Sequence, residues 1–320
     1  MKEIIITKEE VNQRADKYLL KYFNKASKSF IYKMLRKKRI KLNKKRIVGN
    51  EILKENDVFQ VYMSPETIDK FSCLDVNNDI NITFEVIYED ENILICNKPV
   101  GLLSQPDKEG SVSLVDEVTA YLINIGDYDP SITKGFRPGI CNRLDRNTSG
   151  IVIAGKNILA LQELNRLIAS KKLDKHYKCV VTGKVDNEAI IDGYLSKDSI
   201  TNKVTISNKE NLGNYIKTIY TPLKVIQGYT LLDVQIITGK SHQIRAHLAS
   251  INHPLIGDYK YGYRRINDKI KLQFGVDYQL LHAYKVKFNV SGGLLSYLDG
   301  KEFVSEVEGR FMEVWSGLCI

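Results

Sequence analysis

The excess positive charge of this chain lies almost entirely in its first fifth. Residues 1–62 hold 17 Lys and Arg against 7 Asp and Glu, a net of +10, and the other 258 hold 30 against 31, a net of −1. Uneven charge between segments points to a dedicated binding module beside a nearly neutral body. The length of 320 residues accommodates both, at about 150 residues per domain. A basic module implies an acidic partner, and charge alone does not choose between nucleic acid and anionic lipid. Apolar residues at 43% and charged residues at 27%, with seven prolines, exclude a disordered or collagen-like chain.

Compartment follows from what the termini and cysteines lack. Met1 to Lys8 has no long apolar stretch and no small-residue cleavage site, and nowhere do apolar residues approach 18 in succession. Neither a signal peptide nor a membrane span is expected. Cys73, Cys96, Cys141, Cys179 and Cys319 are odd in number, widely spaced and without a C-x-x-C pair, so a disulfide framework or zinc site is not expected. Reduced thiols in a cytoplasmic protein fit the pattern.

Within the basic segment, Asp16 to Phe23 has the mixed pattern of a short amphipathic helix. Ser27 is a candidate N-cap for a second, with Phe30, Ile31, Met34 and Leu35 at helical spacing. From Lys33 to Arg46 there are nine basic residues in fourteen and no acid. Ile40 and Leu42 alternate with polar neighbours as in a half-buried strand, and Val58 to Tyr62 offers another. Nine cations on a merely solvated face would repel one another, so the run suits a grip on phosphates. Lys33, Arg36, Lys37, Lys38, Arg39 and Lys41 are its candidate contacts. Residues 63–82 carry Pro65 and several Asp and Asn with no period, and are expected to be a linker.

The body, residues 83–320, opens with strand patterns over Phe84–Tyr88 and Ile93–Cys96. Cys96 is most simply a small buried apolar residue, and Lys98-Pro99-Val100-Gly101 ends the strand. Cys141-Asn142-Arg143-Leu144-Asp145-Arg146-Asn147-Thr148-Ser149-Gly150 is polar and turn-rich, and precedes the apolar strand Ile151–Ala154. Asp145 between two arginines is a candidate poised carboxylate, because nearby cations favour its ionised form. A helix beginning near Asn157 places Leu161, Leu164 and Ile168 on one face, and Lys175 to Val181 forms a strand carrying Tyr177. Tyr229 to Ile237 forms another. Ser241 then caps a helix with the apolar face Ile244, Leu248 and Ile251, beside which Arg245 points inward or to solvent. A buried arginine needs a partner, and Asp145 suits. His242 and His247 do not have zinc-motif spacing, and no phosphate-binding glycine loop is present. A Ser149/His242/Asp145 hydrolase triad lacks the G-x-S-x-G elbow that would support it.

Taken as an ordered set, these segments resemble the RluA type of pseudouridine synthase. Arg143 to Gly150 matches R-L-D-x-x-T-S-G. Lys98 to Gly101 matches K-P-x-G, and Lys175-His176-Tyr177 the tyrosine motif. Gly239 to Arg245 matches G-[RK]-[ST]-H-Q-I-R, continued by His253 to Asp258, Tyr261-Gly262 and Leu281-His282-Ala283. Asn142 stands where that family usually has histidine. Over residues 12–62 the chain is also similar to S4 RNA-binding domains, through Arg14 to Leu19, Ser27-Lys28-Ser29 and Lys38 to Asn43.

The resemblance implies an α+β protein: a small S4-like domain (1–62), a linker (63–82) and a catalytic domain (83–320) on a mixed, mostly antiparallel sheet. It implies isomerisation of uridine to pseudouridine in RNA, most of all in large-subunit ribosomal RNA. The partner is RNA, with no membrane, no obligate protein partner, no cofactor and no metal. Asp145 would be the essential carboxylate, paired and oriented by Arg245, and Tyr177 would stack on the target base. Arg143, Arg146, Gln243 and Lys98 would bind substrate. A hydrolase usually places a second carboxylate for water, and the R-L-D-R segment offers none, which fits isomerisation. An RNA-binding assembly factor with a dispensable catalytic fold, and a serine hydrolase, are the competing classes.

Overall fold

Two β-sheets, each with its own apolar core, organise the chain. The computed structural model describes residues 1–72, 80–108, 110–198, 204–207, 209 and 213–318. Cys73 and Cys319 fall outside these residues.

The basic segment builds strand β1 (Lys2–Ile5), helices α1 (Ala15–Tyr22) and α2 (Lys28–Arg36), and strands β2 (Ile40–Leu42), β3 (Lys45–Arg46) and β4 (Val58–Val61). The strands form one sheet in the order β1-β4-β2-β3. Ser27 caps α2 by accepting from the Phe30 amide at 3.2 Å. Tyr18, Leu19, Phe23, Ile31 and Leu35 from the helices are buried with Ile40, Phe59 and Val61 from the sheet. At about 1.5–3 kcal/mol per buried large apolar side chain, this shared core holds the cations outside. Lys33 and Arg36 to Arg39 are exposed on the end of α2 and its turn, and Lys41 lies over the Tyr62 ring. Asn43 and Lys44 both have positive φ, 50° and 63°, the two-residue turn that matches strand twist in a hairpin. It projects Lys44, Lys45 and Arg46 outward.

The expected linker is corrected in part. Helix α3 (Pro65–Phe71) forms inside it, started by Ser64, whose Oγ accepts from the Thr67 amide, and by Pro65 in the first turn. Ile68 is buried in the small core and Met63 and Phe71 pack against it. Seven residues are too few to show a helical period in sequence, which is why the segment reads as irregular.

The body contains β5 (Glu85–Glu89), β6 (Ile93–Lys98), α4 (Leu114–Asn124), β7 (Gly139–Ile140), β8 (Ser149–Gly155), α5 (Ile158–Ala169), β9 (Leu173–Thr182) and β10 (Ala189–Lys197). It continues through β11 (Val204–Ser207), β12 (Asn214–Ile226), β13 (Tyr229–Ile236), α6 (Gln243–Ser250), α7 (Arg264–Phe274), β14 (Leu281–Phe288), β15 (Glu302–Val304) and α8 (Gly309–Gly317). The sheet runs β11-β10-β12-β13-β9-β14-β8-β6-β5, with β15 on β14 and β7 on β8. It is mixed and mostly antiparallel: among the described pairings, only β8 with β14 is parallel. The Asp145 loop therefore leads into this parallel junction, with β8 third from the β5 edge of the sheet. Gly150 at φ +108° is required there, because an added Cβ would stand 2.2 Å from the Ala283 carbonyl oxygen across the parallel pair. Helix α5 starts at Asn157 as the sequence suggests, but turns Ile158, Ala160, Leu164 and Leu167 fully inward, with Leu161 and Ile168 at the edge.

The two units touch. The Glu10 carboxylate accepts from the Gly135 amide at 2.7 Å, Gln13 Nε2 donates to the Gly135 carbonyl at 3.0 Å, and Gln162 Nε2 donates to the Asn12 carbonyl at 2.7 Å. Gly135 passes against the Tyr18 ring, where a Cβ would stand 1.9 Å away.

Candidate active site

The loop from Asn142 to Thr148 is fastened at its start to the strand that follows it and further along to groups distant in sequence. At its start, Asn142 Oδ1 accepts from the Ile153 amide at 2.9 Å and Nδ2 donates to the Ile151 carbonyl at 3.1 Å. Asn142 thus pins the loop to β8. In the middle, the buried Ser104 hydroxyl accepts from the Leu144 amide at 3.0 Å and donates to the Leu144 carbonyl at 2.7 Å. At Arg146, the Gly101 amide and the Lys98 ammonium both donate to the main-chain carbonyl, at 2.9 and 3.0 Å. A loop bonded on three sides holds its side chains in place, which a catalytic group requires.

Lys98 corrects an expectation. It is fully buried, and its Nζ donates to the carbonyls of Pro99 and Leu102 as well as Arg146. Burial pushes its pKa down to about 8, while the nearby Asp145 charge works in the opposite direction. Three acceptors for three ammonium hydrogens leave none for substrate. Lys98 is the bolt between the K-P-x-G corner and the Asp145 loop. Gln243 is corrected in the same way. It is buried, its Oε1 accepts from Thr238 Oγ1 and the Lys240 amide, and its Nε2 donates to the Lys217 carbonyl and Thr218 Oγ1. It fastens the start of α6 to β12.

Arg245 on α6 points inward and is 8% exposed. Its Nη1 donates to Asp145 Oδ2 at 2.8 Å. Its Nε and Nη2 grip both oxygens of Asp258 at 2.7 and 2.9 Å. The two carboxylates differ in access: the Asp258 side chain is 0% exposed and that of Asp145 is 27% exposed. Asp258 spends its charge fixing the guanidinium, and Asp145 keeps a face open to the cleft. Asp258 also accepts from the Lys260 and Tyr261 amides, closing its own turn. Both carboxylates keep the guanidinium firmly protonated against the cost of its burial.

His242, rather than Ser241, occupies the N-cap of α6, in a left-handed conformation at φ +56°. This turns its Nε2 to 3.8 Å from Asp145 Oδ2 while its Nδ1 bonds the Tyr261 hydroxyl at 2.9 Å. Burial lowers its pKa, which favours the neutral ring. Ser149 Oγ bonds Nδ1 of His282 at 2.8 Å and not His242, so the hydrolase triad does not assemble.

Tyr177 on β9 is 7% exposed, and burial followed by the Asp145 charge raises its pKa, so its ring enters the site un-ionised. A cleft of about 780 Å³ joins Asp145, Tyr177, His242 and Arg245. Arg143 and Arg146 are exposed at its lining, with Arg143 Nη1 at 3.4 Å from Gln105 Oε1 and Arg146 Nε at 3.0 Å from the Gly101 carbonyl. The phosphate-gripping candidates of the basic unit are not among the residues that line it. Asp258 and Ser104 were given no role by sequence reasoning, and His242 was weighed only as a zinc ligand and a hydrolase-triad member. Asp258 and His242 stand inside the matched motifs, thirteen and three positions from Arg245, and only the folded turn shows that they converge on it.

The chain is similar in sequence and fold to known proteins. Residues 92–250 match the family described as "RNA pseudouridylate synthase". A Mycoplasma capricolum protein described as an "uncharacterized RNA pseudouridine synthase" is 33% identical over 95% of this chain and 97% of its own length. A Buchnera aphidicola protein named "Ribosomal large subunit pseudouridine synthase C" is 31% identical over 88% of each chain. In fold, the chain is similar to human RNA pseudouridylate synthase domain containing 4, with a TM-score of 0.59 at 18% identity, covering 73% of this chain and 92% of that one. The relatives run the length of both the basic unit and the body, and the clamped Asp145 loop lies within the matched stretch. The chain belongs to the RNA pseudouridine synthases, isomerases that turn uridine in RNA into pseudouridine.

Proposed function

We propose that this enzyme modifies uridine in large-subunit ribosomal RNA in the cytoplasm, with Asp145 as its essential carboxylate. The observation that carries the assignment is the unequal treatment of two carboxylates by one buried arginine. Asp258 is buried and doubly bonded, whereas Asp145 is held by a single bond and faces the cleft. Arg245 orients Asp145 beside the C1′ of an extruded nucleotide. Tyr177 offers a neutral ring to the base. Base extrusion costs a few kcal/mol, which the exposed Arg143 and Arg146 offset by holding phosphates at the cleft mouth. Support for the choice of RNA comes from relatives named for the large ribosomal subunit.

The test is site-resolved pseudouridine mapping of ribosomal RNA from cells with and without the protein. Loss of one or more large-subunit pseudouridines, restored by wild type, is expected. An unchanged large-subunit map with a loss in another RNA overturns the substrate assignment.

The basic unit is the S4-like grip on RNA, extending through α3 to about residue 72. Lys37, Lys38 and Arg39 are exposed and lie on one turn after α2. Each phosphate neutralised contributes about 0.7–0.9 to the slope of log affinity against log salt. The triple variant Lys37→Gln, Lys38→Gln, Arg39→Gln is expected to flatten that slope by about 2 to 3 and to leave kcat at saturating RNA unchanged. An unaltered slope refutes the grip.

A further inference from the structure

Pseudouridine formation places negative charge on a leaving base, and the cleft contains one cation suited to meet it. When the C1′–N1 bond breaks, its electron pair stays with the uracil ring and spreads onto O2 and O4. C5 then supplies a pair to C1′. The proton lost from C5 goes to water and N1 takes one from water, so the sequence is a net isomerisation. Between those steps the base is anionic, and a fixed positive group near its oxygens lowers the barrier.

The cations lining the cleft fall into three kinds. Arg245 is committed to Asp145 and Asp258. Arg143, Arg146, Lys171 and Lys240 are exposed at the rim, where the backbone phosphates of an extruded nucleotide remain. Lys175 is different. It is half-buried, lies two residues before Tyr177 on the same face of β9, and lines the same cleft. Among the described residues its Nζ has no hydrogen-bond or ion-pair partner. A Cβ built on Gly239 would stand 3.4 Å from that Nζ, so the ammonium rests beside the Gly239 backbone with its hydrogens unclaimed. Burial without a counter-charge lowers its pKa, and an anion placed beside the ammonium would offset that cost. A flipped base reaches deeper than its phosphates, so the anion that Lys175 meets is on the base.

We propose that Lys175 is a catalytic residue whose ammonium contacts the uracil carbonyl oxygens and stabilises the charge they take up as the glycosidic bond breaks. This rests on the uridine-isomerising role of the cleft.

The experiment compares Lys175→Met and Lys175→Arg with wild type on RNA carrying uridine or 5-fluorouridine at the target. Lys175→Met is expected to lower kcat by about 10²- to 10³-fold with KM within about threefold, as removal of one donor to a developing oxyanion does. Lys175→Arg is expected to recover at least about tenfold of that loss. Fluorine withdraws electrons and makes the uracil a better leaving group that needs less help. Single-turnover consumption of 5-fluorouridine should therefore show a Lys175→Met deficit at least about tenfold smaller than that for uridine. An equal deficit on both substrates, or a raised KM with kcat intact, overturns the proposal and marks Lys175 as structural or as a phosphate contact. Should Lys175→Met fail to fold, the same substrate comparison on Lys175→Arg decides. Wild type inactive on both RNAs would instead refute the uridine-isomerising role itself.

Discussion

Asp145→Asn is expected to abolish pseudouridine formation, by about 10⁴-fold or more in kcat, while RNA affinity stays within about threefold. The substitution keeps the shape of the side chain and an oxygen for Arg245 Nη1, which sits at 2.8 Å in the wild type. Arg245 stays anchored by Asp258 at 2.7 and 2.9 Å, so no buried charge is stranded and the melting temperature should shift little. What disappears is the negative charge on the one carboxylate of the pair that reaches the cleft. Tritium release from C5-labelled RNA, with a filter-binding isotherm on the same preparation, separates the two quantities. Residual activity above about one part in a hundred would mean that another group does the chemistry.

Asp258→Ala is expected to cost both stability and activity, for a reason that Asp145→Asn avoids. It leaves the Arg245 guanidinium, 8% exposed, with half its partners gone. Removing one member of a buried ion pair typically costs about 3–5 kcal/mol. At roughly 2–4 °C per kcal/mol for a body of this size, the melting temperature should fall by about 6–20 °C. Asp258→Asn is the gentler variant. It retains an oxygen for the Lys260 and Tyr261 amides but weakens the fork on Arg245. The freed guanidinium then turns towards Asp145 and binds both of its oxygens. A misplacement of about 1 Å costs on the order of 10²-fold, so kcat should drop by about that much with KM little changed. Wild-type kcat and melting temperature in Asp258→Asn would show that Asp258 does not position Arg245.

How much was legible before folding depends on whether an element's evidence is local. α2 and α5 carry their caps and apolar periods within a dozen residues, α1 shows its mixed amphipathic pattern, and β8, β9 and β13 are continuous apolar or alternating runs, so each shows in sequence. α3 is too short for its period to show. β10, β12 and β14 were not foreseen, because polar and half-exposed residues interrupt their apolar pattern and their stability comes from pairing along the large sheet. Asp145, Tyr177 and Arg245 stand out as motif members. Lys98 and Gln243 stand in equally sharp motifs, yet they bond the scaffold. Their partners are backbone carbonyls 48 and 26 residues away, which no local pattern reveals.

The amino-acid sequence by itself determined the division of labour: a small unit with a net of +10, a body of −1, and an acid placed between two arginines ahead of an apolar strand. Those are properties of composition and order, and they hold in any conformation. Only the tertiary structure decided which carboxylate stays open to the cleft and which one is buried against the arginine. Arg245 has two acidic neighbours 100 and 13 residues away, and their difference lies in burial and in the number of bonds each makes. Burial and bond count exist only once the β8–β14 junction brings the Asp145 loop against α6.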